Sequence, residues 1–162
     1  RRRMTLSSVT AITPSAVTLL LVEDDDVDAM SIERGFRKQR IANDIVRARD
    51  GIEALDLLRD DAVGTPYIIL LDLQMPRMNG LEFLEQLRND PVLFNSVVFV
   101  LTTSPAEEDI TASYRKYIAG YFVKDGAGDG FLDGVEMLQG YWKIVHLPLV
   151  DDGKSNINNR TH

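Results

Sequence analysis

Leu70-Leu71-Asp72-Leu73-Gln74-Met75-Pro76-Arg77-Met78-Asn79-Gly80 is the stretch on which the fold turns. It opens as the end of an apolar run, Tyr67-Ile68-Ile69-Leu70-Leu71, short and without alternation, the pattern of a strand buried on both faces. Asp72 stands where that run stops, and Pro76 and Asn79-Gly80 follow as turn residues. The acid is therefore placed at the carboxyl edge of a sheet, where open α/β proteins build their sites. Taken alone, Asp72 reads equally well as a solvated aspartate opening a loop. The other strand ends separate the two readings.

Outward from this stretch the same unit recurs. Val17-Thr18-Leu19-Leu20-Leu21-Val22 is a second buried run, and it ends in Glu23-Asp24-Asp25-Asp26. A helix is expected next, with Ala29, Ile32 and Phe36 inward and Arg37, Lys38 and Arg40 closing it. Asp44 to Arg49 alternates and is short, which suits an edge strand; Asp50-Gly51 then turns into a helix carrying Ile52, Leu55 and Leu58 as far as Gly64-Thr65-Pro66. Leu81, Leu84 and Leu87 repeat at helical spacing until Asn89-Asp90-Pro91. Val97 to Leu101 is a fourth buried run ending in Thr102. Ser104 with Glu107 reads as a capping box with Pro105 at the first helical position, opening a helix that presents Ile110, Tyr114, Tyr117 and Ile118. Gly120-Tyr121-Phe122-Val123 is a short fifth strand ending at Lys124, and Phe131, Val135, Leu138, Trp142 and Val145 mark a last helical stripe. Five strands alternating with five helices predict a parallel sheet covered on both faces. Periodicity leaves the strand order open.

The chain of 162 residues suits one domain, expected over residues 17–147, between a Ser/Thr-rich arm at 1–16 and a polar tail at 148–162. It has no cysteine, which excludes disulfides, thiolate metal sites and cysteine nucleophiles and fits a reducing compartment. Two histidines near the C-terminus do not make a zinc cluster, and a net charge of −7 disfavours nucleic acid. No apolar run reaches membrane-spanning length and no signal peptide is visible, so the expectation is a cytoplasmic protein without membrane contact.

Four of the five strands end in a particular polar group: Glu23-Asp24, Asp72, Thr102 and Lys124. In a parallel sheet these ends share one edge. Three carboxylates gathered there repel unless a cation joins them or a pKa rises. Oxygen donors without His or Cys select a hard metal, Mg²⁺ above all. With an ammonium and a hydroxyl beside it, the arrangement suits the three equatorial oxygens of a phosphoryl group in transfer to the Asp72 carboxylate. Each part has a plainer meaning by itself: a solvated acidic run, a turn threonine, a surface lysine. Their joint occurrence at successive strand ends is what points to chemistry.

Glu-Asp-Asp after the first strand, Leu-Asp-Leu-Gln-Met-Pro-x-Met-Asn-Gly after the third, Leu-Thr-Thr after the fourth and Gly-Tyr-Phe-Val-Lys after the fifth resemble the receiver domains of two-component response regulators. The resemblance implies a flavodoxin-like (βα)₅ fold with strand order 2-1-3-4-5. It implies Asp72 as phospho-acceptor and Mg²⁺ held by Glu23, Asp24, Asp72 and the backbone carbonyl of Gln74, with Asp24 and Asp72 as direct ligands. Lys124 becomes the phosphoryl-pairing lysine, Thr102 the switch hydroxyl and Tyr121 the aromatic that moves with it. Leu87-Arg88-Asn89-Asp90-Pro91-Val92-Leu93 and Tyr141-Trp142-x-x-Val145-x-Leu147-Pro148 narrow the likeness to stand-alone receivers serving bacterial phytochromes and related sensor histidine kinases. Asp125 departs from the proline usual after the lysine, and Ser96-Val97 from an Ile-Pro frequent in this subgroup.

The expected partner is thus a sensor histidine kinase, and the chain catalyses only its own phosphorylation and dephosphorylation. Output passes to a further partner, because residues 149–162 are too few for a DNA-binding module. Tyr114, Tyr117, Tyr141 and Trp142 suggest a homodimer contact along the fourth helix, fifth strand and fifth helix, or else Trp142 and Tyr114 fill the core. A dinucleotide-binding domain is disfavoured, since Glu-Asp-Asp-Asp stands where a glycine-rich turn would be. An aspartyl-phosphate hydrolase would need a proton-donating acid where Gln74 stands. A receiver-like module that takes no phosphate is the remaining alternative.

Overall fold

The computed structural model describes residues 17–38, 43–75, 77–102 and 112–123. Five parallel strands, β1 (Thr18–Val22), β2 (Ile45–Ala48), β3 (Tyr67–Asp72), β4 (Val97–Thr102) and β5 (Gly120–Val123), lie in the order β2-β1-β3-β4-β5. Helices α1 (Asp26–Lys38), α2 (Gly51–Arg59) and α3 (Gly80–Asn89) connect the first four strands, and residues 112–115 are helical ahead of β5. This is the flavodoxin-like doubly wound order expected of a receiver, and the short alternating strand β2 does lie at an edge. Several expectations lie outside the described residues: the arm at 1–16, Arg40, the Ser104–Glu107 cap with Pro105, Ile110, Lys124, Asp125, the last helical stripe with Tyr141 and Trp142, and the tail.

Strand periodicity divides the core into two halves. Leu20, Val22, Ile69, Leu71, Val98 and Val100 point to the side covered by α2 and α3, where Phe83, Leu84 and Leu87 meet them. Their neighbours Leu19, Leu21, Ile68, Leu70, Phe99 and Leu101 point to the α1 side and pack with Ala29, Ile32 and Phe36. Both sides of the central strands are thus apolar, which is why their sequences read as unbroken runs rather than alternating ones. All six residues of β3 are buried, the acid at its end included.

Three expectations about helices are corrected. In α2 the inward stripe is Gly51, Ala54, Leu55 and Leu58, and Ile52 is exposed. Helical spacing places residue 52 off the stripe once Gly51 sits against Met78 and Phe83. That helix also ends at Arg59, five residues before Gly64. Asp61 takes a left-handed φ of 58° there, Ala62 N–H donates to the Leu57 carbonyl at 3.0 Å, and Asp61 N–H reaches that of Leu58 at 3.4 Å. This is a Schellman stop with an aspartate at the position glycine usually fills. Tyr117, expected within the fourth helix, is instead a turn residue with φ 59° and 81 % exposure, while Ile118 is buried. Tyr114 is also exposed, so it does not fill the core.

Candidate functional site at the carboxyl edge of the sheet

Register brings the first two acids together. Val22 pairs with Leu71 between β1 and β3, so one further step along both strands sets Glu23 beside Asp72. Both belong to the side of the sheet that faces α1. Carboxylate oxygens of Glu23, Asp24 and Asp72 lie within 4.8 Å of one another. Glu23 and Asp72 are buried (0 % and 4 % exposed), and exposed acids are the ones commonly found clustered without any ligand. Two desolvated carboxylates and a third at such range raise one another's free energy, and a divalent cation on an all-oxygen donor set is the natural remedy. The residues therefore fit the metal that the sequence predicts.

Each acid of the Glu23–Asp26 run has its own task. Glu23 Oε1 accepts from the Asp25 amide at 3.2 Å, tightening the turn after β1. Asp24 turns its carboxylate towards Asp72. Asp25 Oδ1 accepts from the Asp28 amide at 2.9 Å and so caps the start of α1. Asp26 pairs with Arg47 at 2.7 Å and Arg49 at 3.5 Å, and the Arg47 hydrogen bond followed by the Arg49 charge holds its carboxyl below the usual range.

Asp72 is fixed from the following turn: Gln74 N–H donates to its Oδ1 at 3.1 Å. The chain then folds back so closely that Gly80 N–H donates to the Leu73 carbonyl at 3.1 Å. A Cβ at Gly80 would lie 2.7 Å from Leu73 Cα and 2.8 Å from the Asp72 carbonyl oxygen, so this position admits only glycine unless the backbone moves. Asn79 caps α3, accepting from the Glu82 amide at 2.9 Å.

Beyond β3, Asp72 pairs in register with Leu101, and Thr102 follows as the last residue of β4, opposite Val123 of β5. Its backbone is thus one step past the partner of Asp72. Tyr121 is on β5, partly exposed, its ring 6.2 Å from that of Tyr114 in an edge-on arrangement. Lys124 lies outside the described residues. Of the expected site, then, Glu23, Asp24 and Asp72 come together, with the Gln74 backbone adjoining.

Sequence reasoning passed over two arginines. Arg47 reaches from β2 across the turn after β1, where its Nε and Nη2 donate to the Glu23 carbonyl at 3.2 and 3.1 Å, Nη2 to that of Asp24 at 3.3 Å and Nη1 to Asp26. Arg77 ties the turn after β3 to Asp50, the N-cap of α2. The caps themselves had a visible signal in Asp50-x-x-Glu53 and Asn79-x-x-Glu82. An arginine at the centre of a short edge strand was the signal for the first.

Residues 19–136 match the family model described as the response regulator receiver domain. The chain belongs to the response regulator receiver domain family. Among its relatives, the probable methanogenesis regulatory protein FilR2 of Methanothrix harundinacea is 35% identical over 127 residues, 76% of this chain and 82% of that one. Response regulator Rcp1 of Synechocystis is 31% identical over 80% of this chain and 92% of its own length. The structure of its Mn²⁺-bound form superposes with a TM-score of 0.71, covering 82% of this chain and 99% of that one. The phosphorylated cyanobacterial phytochrome response regulator RcpA is similarly close, with TM-score 0.72, 32% identity and coverage of 81% and 97%. The receiver described here is thus a response regulator of the Rcp1 and RcpA kind. Receivers of this family are generally not classical enzymes, and among the described residues no helix is long and apolar enough to cross a membrane.

Proposed function

We propose that residues 17–147 form a receiver that accepts a phosphoryl group on Asp72 from the phosphohistidine of a sensor histidine kinase, with Mg²⁺ required. The observation that carries this reading is the meeting of Glu23, Asp24 and Asp72 within 4.8 Å at the carboxyl edge, two of them buried. Glu23, Asp24, Asp72 and the Gln74 carbonyl are the groups that would hold the ion. When bound, it supplies positive charge against the phosphoryl oxygens and lets the acids remain ionised together.

The chain's own part is orientation. The Gln74 amide restrains rotation of the Asp72 carboxylate, whose oxygen attacks phosphorus in line. The O–P bond forms as the donor's N–P bond breaks, and the leaving imidazole takes back the electron pair and then a proton. Lys124 and Thr102 have the roles of ammonium and hydroxyl donors to the phosphoryl oxygens, by resemblance to the family. Thr102 then moves towards the modified acid and Tyr121 turns inward. The outward setting of Tyr121 against Tyr114 is the starting position this switch requires.

Support for the kinase partner comes from relatives named as phytochrome response regulators. We assign this receiver to a kinase of that kind, in the cytoplasm, with output through a homodimer of the fourth helix, fifth strand and fifth helix, on which Tyr114 and Tyr121 are exposed. The test is incorporation of label from acetyl [³²P]phosphate with and without Mg²⁺. The wild-type chain takes up label in the presence of the ion and Asp72→Asn takes up none. Label retained by Asp72→Asn overturns the assignment of the acceptor, and an unlabelled wild-type chain makes this a module that is not phosphorylated. Continuous release of phosphate from a small ester would point to an aspartyl-phosphate hydrolase instead.

A further inference from the structure

We infer that Arg47 is a positioning residue for the divalent-cation site, acting through the backbone of the turn that carries Glu23 and Asp24. The inference rests on the proposal that Glu23, Asp24 and Asp72 hold a cation. Arg47 lies on β2 opposite Leu21 of β1, and its side chain, 21% exposed, extends along the sheet to the turn above. Nε and Nη2 together grip the Glu23 carbonyl, and Nη2 also reaches the next carbonyl, that of Asp24. A planar guanidinium holding two successive carbonyls sets the orientation of the peptide units bearing two of the three acids. Asp26 Oδ1, at 2.7 Å from Nη1, fixes the guanidinium plane in turn.

This contact is not needed to build the sheet. β1 and β2 are already joined by their ladder, and the Glu23 amide donates to the Ala48 carbonyl at 3.0 Å. What Arg47 adds is restraint on the carbonyl side of the turn, where the acidic run would be pushed apart by its own charge. The arginine faces Asp26 directly and has Arg49 beside that same carboxylate, and it meets Glu23 and Asp24 at their backbone carbonyls. Its influence on a bound cation therefore has two components of opposite sign. As a nearby positive charge it repels the ion, so its removal would tighten binding. As a clamp it keeps the carboxylates in a binding arrangement, so its removal weakens binding. Partners standing behind metal ligands typically change affinity by about 10- to 100-fold, which is the larger effect.

The experiment is titration of the full chain with Mn²⁺, following the free ion by electron paramagnetic resonance, with thermal melts in EDTA alongside. Arg47→Met is expected to raise the Kd about tenfold, the lower end of that range. Arg47→Lys, which keeps the repelling charge and loses the fork, gives an increase at least as large. Asp26→Asn, which removes only the ion pair, leaves the Kd within about twofold, well short of the loss expected for a supporting partner. An unchanged or lower Kd in Arg47→Met overturns the inference, as does an Asp26→Asn effect equal to that of Arg47→Met. If Arg47→Met does not melt cooperatively, Arg47→Lys decides, and wild-type affinity in that variant overturns the inference. A wild-type chain that binds no Mn²⁺ removes the cation site itself, whereas wild-type binding with unaffected Arg47 variants removes only the role of Arg47.

Discussion

Arg77 Nε lies 3.0 Å from Asp50 Oδ2, joining the turn that follows β3 to the first residue outside α2. Asp50 Oδ1 at the same time accepts from the Glu53 amide at 2.9 Å, and Glu53 Oε2 accepts from the Arg49 amide at 3.0 Å. One buried carboxylate therefore serves both as a helix cap and as the anchor of the loop beside Asp72. The two duties can be separated. Asp50→Asn keeps an oxygen for the cap and loses the charge, and its expected cost is below about 1 kcal/mol because Arg77 is largely exposed. Asp50→Ala loses both and is expected to cost about 2 kcal/mol. Urea melts of the two variants measure the difference, and equal losses would mean that the cap contributes nothing.

Gly80→Ala forces a methyl group against backbone on two sides, Leu73 Cα and the Asp72 carbonyl oxygen. Neither can rotate aside as a side-chain tip would. The expected outcome is a loss of at least about 2 kcal/mol in denaturant melts, together with slower labelling of Asp72, since the turn that donates to its carboxylate must shift. Normal stability in this variant would show that the α3 entrance yields more easily than its contacts imply.

Asp61 offers the opposite case. It occupies the left-handed position after α2, where a side chain costs about 1 kcal/mol relative to glycine. Asp61→Gly is expected to raise the melting temperature by about 2–4 °C and to leave phosphoryl uptake unchanged, because the residue stands at the end of α2 remote from the acids.

Asp90 predicts part of the acid response. Burial pushes its pKa up, but the Val92 and Leu93 amides, at 2.9 and 3.1 Å, and Arg59, at 3.4 Å, outweigh that and leave it below its ordinary 3.8. The folded state therefore binds this proton more weakly than the unfolded chain. Its stabilisation is complete above the unfolded pKa and is lost as pH falls through the folded one. Asp90→Asn should differ in stability from the wild type at pH 5 and approach it on acidification below pH 3.8. A gap that widens in acid would reverse the sign assigned to Asp90.

The central strands were legible because burial on both faces leaves an unbroken apolar run, and Asp72 was legible because it interrupts one. The meeting of Glu23, Asp24 and Asp72 followed from parallel strands sharing an edge, once alternating β and α units were recognised. What escaped reading depends on distance along the chain. Arg47 and Glu23 are 24 residues apart and Arg77 and Asp50 are 27 apart, and each pair meets only through register or a left-handed turn. Ile52 and Tyr117 misled for another reason. Helical spacing gives a stripe, but the first helical residue sets its phase, and a left-handed residue cancels it altogether.

The pairing of Val22 with Leu71 also limits how this protein can drift over evolutionary time. Inserting or deleting one residue in β1 or β3 would turn Glu23 or Asp72 by half a revolution, to the opposite layer, and strand the charge among the α2 and α3 leucines. Lineages descended from such a sequence should therefore vary in length between Asp90 and Ser96, or in the connection between α2 and β3, while these two strands keep their number of residues.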